Sequence, residues 1–259
     1  MIVLLPPSEG KTAPRRGKSL DLGGLTLPGL TPAREQVLDA LVGLCERDPV
    51  EAARVLDVPK TQLGLVDLNA RLRSAPTARA DQVYSGVLYD ALSPATLSAA
   101  ARRRATTRLL VTSSLFGTVG PADRIPAYRL SGDVVLPGLG GVAAHWRASL
   151  GPALEEHLGD RLLVDLRSTT YAAFWRPPAA LARHVATVRV LHETNGKRQV
   201  VSHFNKATKG RLVRTLLESG ANPRSPGRLA EALRDLDWVV EVVDGPRGVV
   251  QLDVVVRDL

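Results

Sequence analysis

A single cysteine, Cys45, stands in 259 residues. That excludes an intramolecular disulfide and fits a reducing compartment. Aromatic residues make up only 4% of the chain, so the core must be built mostly from Leu, Val and Ala. No apolar run is long enough to cross a bilayer. The apolar start Met1–Leu5 has no basic segment before it and stops at Pro6-Pro7, so no signal peptide is expected. The five histidines, His145, His157, His184, His192 and His203, show no H-E-x-x-H spacing and no paired cysteines, so no metal site and no cofactor is expected. No G-x-S-x-G, internal repeat, low-complexity segment or clear linker occurs. These absences leave a soluble, cytoplasmic, monomeric globular protein with no membrane association as the expectation.

What the chain has in excess is positive charge. The net charge is +8, and it is unevenly spread. Residues 197–234 hold nine basic and two acidic side chains, and residues 71–108 hold seven and two. Two such regions suit a polyanion. The other reading is a set of solvated arginine-rich helices.

Hydrophobic periodicity sets the organisation. Met1–Leu5 reads as a buried strand, and 9–30, rich in Gly, Pro and Lys, as a surface loop. Thr31-Pro32 reads as a helix N-cap with proline in the first turn. Helices are expected to about Leu72, broken at Pro49 and Pro59, and another from Ser93-Pro94 to the Arg102–Arg104 cluster. Further strands are expected at 108–112, 162–166, 184–191 and 198–203. The last two should be joined by a hairpin turn at Asn195-Gly196. Helices follow at 141–158 and 205–219, and a closing hairpin runs from Trp238 to Val256. The fold expected is α+β: one domain over 1–259, with a mixed sheet flanked by helices and a helical insert at about 31–80.

The densest polar chemistry lies in Ser113-Ser114-Leu115-Phe116-Gly117, continuing through Pro121, Asp123, Ile125, Tyr128 and Arg129. This stretch follows a core strand, and strand-end loops are where functional groups collect. It resembles the hallmark of the bacterial YaaA family of peroxide-stress proteins, S-G-L-Y-G-x-L-x-P-x-D-x-I-x-x-Y-R-L, with Phe116 for the usual Tyr. Further matches are Lys11-Thr12, Val83-Tyr84-Ser85-Gly86, Trp146, Leu163 to Ser168 with Tyr171, and Val200-Val201-Ser202 leading to Lys206, Lys209 and Gly210. The family pattern N-L-A-S-x-E-Y is altered here: Asp165 replaces Asn, Arg167 replaces Ala and Thr170 replaces Glu. The resemblance implies DNA binding in peroxide stress. It also implies a helix-hairpin-helix element near 56–73, where Leu63-Gly64-Leu65 is nearest the hairpin and the usual second Gly is absent.

Pro7-Ser8-Glu9-Gly10-Lys11-Thr12 has the Gly-Lys-Thr of a phosphate loop. Its first glycine is Leu5, and Ala13-Pro14 follows where a helix should begin, so nucleotide hydrolysis is not expected. Lys11 faces the central cleft or is an exposed loop lysine. In 202–217, Leu212, Val213, Leu216 and Leu217 form one apolar arc, and Lys206 and Lys209 fall on it. Lysines there line a cleft, meet carboxylates or reach out to water. Asp165, Arg167, Ser168 and Tyr171 follow a strand, either as site residues or as an Asp–Arg pair bracing the strand end. Tyr84, Tyr128 and Tyr171 stack on a base, donate hydrogen bonds or sit at the core edge.

Two functions follow from these residues. In the first, the protein binds double-stranded or distorted DNA, mainly through phosphates, and Tyr84, Ser114, Tyr128, Arg129, Arg167, Ser168 and Tyr171 make the contacts. In the second, the same cleft is an enzyme's, and Lys11, Asp123, Asp165, Lys206 and Lys209 carry the chemistry. That chemistry is glycosylase- or lyase-like on DNA, or acts on a nucleotide or small anionic metabolite.

Overall fold

The computed structural model describes residues 1–257, apart from the side chains of Ser202 and His203. Those two side chains, one in the family pattern and one among the five histidines, therefore lie outside the described residues. The strands are β1 (Ile2–Leu5), β2 (Ala78–Arg79), β3 (Leu109–Ser113), β4 (Gly117–Val119), β5 (Arg124–Ile125), β6 (Val135–Leu136), β7 (Gly140–Gly141), β8 (Leu163–Asp165), β9 (Val185–Thr194), β10 (Lys197–Gln199), β11 (Val239–Asp244) and β12 (Val250–Val256). The helices are α1 (Thr31–Arg47), α2 (Pro49–Val55), α3 (Gly64–Ala70), α4 (Ala80–Val83), α5 (Val87–Leu92), α6 (Ala99–Arg108), α7 (Val142–Leu158), α8 (Thr169–Ala172), α9 (Ser202–Ser219) and α10 (Pro226–Arg234).

One sheet runs in the order β11-β12-β9-β8-β1-β3-β4, with β10 paired to β9. The strands β12, β9, β8, β1 and β3 are parallel, while β11 and β4 close the two edges antiparallel. The central strands read as continuous apolar runs because helices cover both faces. All four residues of β1 and all five of β3 are buried. Leu212, Val213, Leu216 and Leu217 of α9 are buried as the periodicity requires.

The chain leaves β1 toward β3 on one side and leaves β8 toward β9 on the other. Neighbouring strands whose exits diverge open a crevice at their carboxyl ends, the place where open parallel sheets receive ligands. The loops 6–12 and 166–171 flank that crevice. Close packing of α9 on α5 holds its third side, through Gly210. A Cβ there would lie 2.2 Å from the Leu88 carbonyl oxygen and 2.9 Å from the Ala91 Cβ.

Several boundaries differ from expectation, each for a local reason. The α1 N-cap is Leu30, after a 3-10 turn at Pro28–Leu30, because the Thr31 hydroxyl turns back to the Leu22 carbonyl. The Ser93-Pro94 signal gives only the 3-10 turn Pro94–Thr96. The true cap of α6 is Ser98, whose hydroxyl accepts from the Ala101 amide at 3.2 Å. That helix runs past Arg102–Arg104 directly into β3. The Asn195-Gly196 turn forms with both residues at positive φ, 52° and 72°, but β10 ends at Gln199 and α9 begins at Ser202. The 56–73 region holds a 3-10 turn at Lys60–Gln62 and the seven-residue α3, and Leu63-Gly64-Leu65 starts α3 rather than making a loop.

Candidate functional site

The crevice between the β1 and β8 ends is a cleft of about 490 Å³. Pro6 to Gly10 form one wall, Leu166, Ser168, Thr170 and Tyr171 another, and Asn205, Lys206 and Lys209 of α9 the third. The two lysines reach it because α9 enters the apolar core one turn later. Lys206 stays exposed at the rim. Lys209 lies deeper and donates to the Leu166 carbonyl at 3.2 Å. Burial lowers the Lys209 pKa, and the nearby Asp165 charge opposes that shift.

A second cavity of about 350 Å³ adjoins this one and shares Glu9 and Gly10 with it. Lys11, Ala127, Tyr128 and Arg129 line it, together with Gln62, Leu65 and Leu68. Lys11 is fixed by an antiparallel bridge to Tyr84, and the Thr12 amide donates to the Val83 carbonyl at 2.8 Å. Its ammonium donates to the Ser8 carbonyl at 2.7 Å and lies 4.2 Å from the Tyr128 ring centroid and 5.7 Å from that of Tyr84. Burial brings its pKa down to about 8; Glu9 opposes the shift and Arg129 adds to it. Arg129 pairs with Glu9 on the wall between the cavities. Asn69 clamps the Arg129 backbone, accepting from its amide at 2.9 Å and donating to its carbonyl at 2.7 Å.

Below Lys11 a chain of hydroxyls runs into the sheet. Tyr84 and Tyr128 meet through their hydroxyls at 3.0 Å, and Tyr128 meets Ser113 at 2.8 Å. Burial raises the pKa of both tyrosines, so they stay neutral. Tyr171 is likewise pushed up by burial and by the Tyr128 and Glu9 charges. Of the three tyrosines, Tyr171 lines the larger cleft and Tyr128 the smaller cavity, while Tyr84 backs Lys11. Tyr89, passed over in the sequence, also lines the cleft. It stacks on Tyr84 at 5.4 Å and donates to the Pro6 carbonyl at 2.7 Å.

Asp165 and Arg167 are largely spent on each other. Two hydrogen bonds of 2.9 and 2.8 Å join them, with both side chains almost fully buried. The Arg167 guanidinium also donates to the Tyr171 and Trp175 carbonyls at 3.2 and 2.9 Å. The acid and the cation that depart from the family pattern thus arrive as a pair that braces the 166–175 turn. The third change, Thr170 for Glu, removes a carboxylate from the cleft wall. Ser168 lines the cleft as well.

The hallmark loop is mostly folded on itself. Asp123, read from the sequence as a catalytic group, lines neither cavity. Its carboxylate accepts from the Thr26 amide at 2.9 Å, the Thr26 hydroxyl at 2.8 Å and the Gly120 amide at 2.9 Å. Ser114, read as a ligand contact, is buried and donates to the Leu130 carbonyl at 2.5 Å, while Trp146 Nε1 donates to its carbonyl at 2.7 Å. Arg34 is a further residue that sequence reasoning missed. It is fully buried on α1 and donates to the carbonyls of Phe116, Thr26 and Thr118 at 3.0, 2.6 and 2.9 Å. Burial lowers its pKa to about 10, and the Asp123 charge opposes that. An arginine at an apolar periodic position was the available signal.

Much of the positive charge counted along the sequence is also spent inside the fold. Arg104 donates to the Leu217 and Glu218 carbonyls at the end of α9, at 2.6 and 3.1 Å. Arg214 does the same for the Leu92 and Ser93 carbonyls at the end of α5, at 3.0 and 3.1 Å. Arg198 pairs with Glu193 and Glu241. Lys206, Arg102, Arg103 and Arg211 remain exposed. Among the described residues no group of histidine, cysteine and carboxylates could hold a metal, and no helix is long and apolar enough to cross a membrane.

A family model described as "Peroxide stress protein YaaA" matches residues 1–239. A UPF0246 protein of Streptomyces coelicolor is 54% identical over 248 residues, covering 96% of this chain and 95% of its own. A UPF0246 protein of Corynebacterium efficiens is 40% identical over 254 residues, covering 97% and 99%. An uncharacterized protein of Campylobacter jejuni is 26% identical over 213 residues, covering 82% and 83%. The matched span takes in both cavities, the hallmark loop and the whole of α9, and the chain belongs to the YaaA family of peroxide stress proteins.

Proposed function

We propose that this chain is a cytoplasmic, monomeric DNA-binding protein of peroxide stress. It holds distorted DNA mainly through phosphates and receives a single nucleotide in the cleft between 6–10 and 166–171. The observation that carries this reading is the cleft itself. A volume of about 490 Å³ suits one nucleotide-sized group and not a double helix. Its α9 wall carries Lys206 and Lys209, and the Lys11–Arg129 cavity adjoins it. A flanking phosphate would meet the exposed Arg102, which lines a neighbouring pocket that shares Ser85 and Tyr89 with the cleft. The 56–73 segment, with exposed Lys60, would add the family's helix-hairpin-helix contacts.

Electrophoretic or fluorescence titration with perfect and bubble-containing duplexes tests this reading. Affinity should fall by orders of magnitude between about 50 and 200 mM salt, and the bubble should bind tighter. Binding that ignores salt, or a Lys206→Ala/Lys209→Ala double variant that binds like the wild type, would overturn it.

One observation favours a second reading, that the Lys11 cavity beside the cleft is catalytic. A lysine amine with a pKa of about 8 is partly neutral near physiological pH, as nucleophilic lysines must be. Such an amine condenses with the aldehyde of an abasic sugar, releasing water, and the imine is reduced by borohydride to a stable adduct. An adduct on abasic DNA that disappears in Lys11→Ala would support lyase chemistry. No adduct with the wild type would remove it.

A further inference from the structure

The Asn205 side chain has no role in the fold that its surroundings explain. It lies on the first turn of α9 and lines the cleft. Its Oδ1 is sealed from solvent and has no hydrogen-bond partner among the described residues. Buried acceptors are rarely left unpaired, because desolvation without a partner costs stability. Asn205 and Lys209 are four residues apart, so they share one face of the helix, and Lys209 is anchored on the Leu166 carbonyl across the same cleft. Two aromatic rings, Tyr89 and Tyr171, complete the lining.

We infer that Asn205 is a specificity-determining residue whose carboxamide, sealed in the ligand-free conformation, turns toward the cleft to read the base edge of a nucleotide held there. The inference rests on the phosphate reading of Lys206 and Lys209 given above. A side-chain amide offers one acceptor beside one donor. Its complement is a base edge with an amino donor next to a ring-nitrogen acceptor, as in the pairing of asparagine with adenine. Lys206 and Lys209 then take the phosphate, and Tyr89 and Tyr171 supply flat faces along the ring. A sugar phosphate lacking a base would leave Oδ1 unpaired. The same chemistry is offered by a free nucleotide and by a nucleotide turned out of a DNA strand.

Calorimetric titration with adenosine monophosphate and with ribose 5-phosphate tests the assignment. A parallel titration uses bubble DNA carrying either an unpaired adenosine or an abasic site at the same position. Wild type should prefer the base-bearing member of at least one pair by tenfold or more. Asn205→Leu and Asn205→Ala should bring that member down to the level of its base-free partner, whose own affinity stays unchanged. Both variants should melt no lower than wild type, since an unpaired acceptor has been removed. Equal affinity for both members of each pair in the wild type, no binding of any probe, or a preference that survives in both variants would overturn the inference. Lys206→Ala/Lys209→Ala judges the underlying reading separately: it should weaken base-bearing and base-free probes alike. If it weakens neither while the Asn205 effect persists, only the phosphate assignment fails.

Discussion

The hallmark loop 113–130 and the start of α9 at 202–209 carry comparable polar chemistry but use it in opposite ways. In the loop, Asp123, Ser113, Ser114 and the facing Arg34 bond to one another's neighbourhood and to backbone, while the polar side chains of Tyr128 and Arg129 line a cavity. On α9, Asn205, Lys206 and Lys209 line the cleft, and among the described residues their one side-chain hydrogen bond is from Lys209 to the Leu166 carbonyl. The difference teaches that a conspicuous polar motif can be a scaffold. Buried polar groups that satisfy one another rigidify a loop, and those left unsatisfied beside a cavity are the ones free to meet a ligand.

The contrast can be broken from either side. The largest effect should come from Asp123→Ala, which leaves three donors unpaired and removes the nearby charge that offsets burial of Arg34. The expected loss is about 3–5 kcal/mol of stability with little change in ligand affinity of the folded protein. A denaturation series that finds Asp123→Ala fully stable but unable to bind would reverse the scaffold assignment.

Lys11 lies between the two regimes, and its effect depends on pH. Its folded pKa is about 8, against 10.5 for the ordinary group. Between those values the unfolded chain holds a proton that the folded chain lacks, so wild-type stability should rise with pH across that window. Lys11→Met carries no such proton and should stay flat there. At pH 7 it should gain up to about 3 kcal/mol over wild type, before any loss of ring contacts. Parallel stability–pH curves would refute the buried-ammonium picture.

Gly210→Ala should cost about 1–3 kcal/mol, because the new Cβ meets the Leu88 carbonyl and must push α9 off α5. The cleft wall moves with it, so its thermal melt and its ligand affinity should fall together. An unshifted melt would show that the helix contact is looser than the geometry indicates. Lys206→Ala should be the smallest in stability, within about 0.5 kcal/mol, since the side chain is exposed. Its signature should be a drop of about one in the slope of log affinity against log salt.

Much of the scaffold was legible in the chain. The apolar runs of β1 and β3, the Asn195-Gly196 turn and the arc through Leu212–Leu217 depend on short-range periodicity and turn chemistry, and they form where periodicity places them. The site was legible only in part. Lys209 was marked by its position on an apolar arc, a contradiction that a helical wheel exposes. Asp123 gave no such contradiction, since its partners Thr26 and Arg34 lie about ninety residues away in sequence and only the fold brings them together. Asp165 and Arg167, only two residues apart, were legible as either site residues or a bracing pair, and the fold decided for the pair by burying both side chains.

By itself, then, the order of residues determined most of the elements and the excess of positive charge, because those follow from local propensity and composition. Tertiary structure alone decided which charges remain available. Whether a cation caps a helix end, pairs with an acid or faces an open cleft depends on what distant segments bring to within about 3 Å of it, and hydrogen bonds act only over that range.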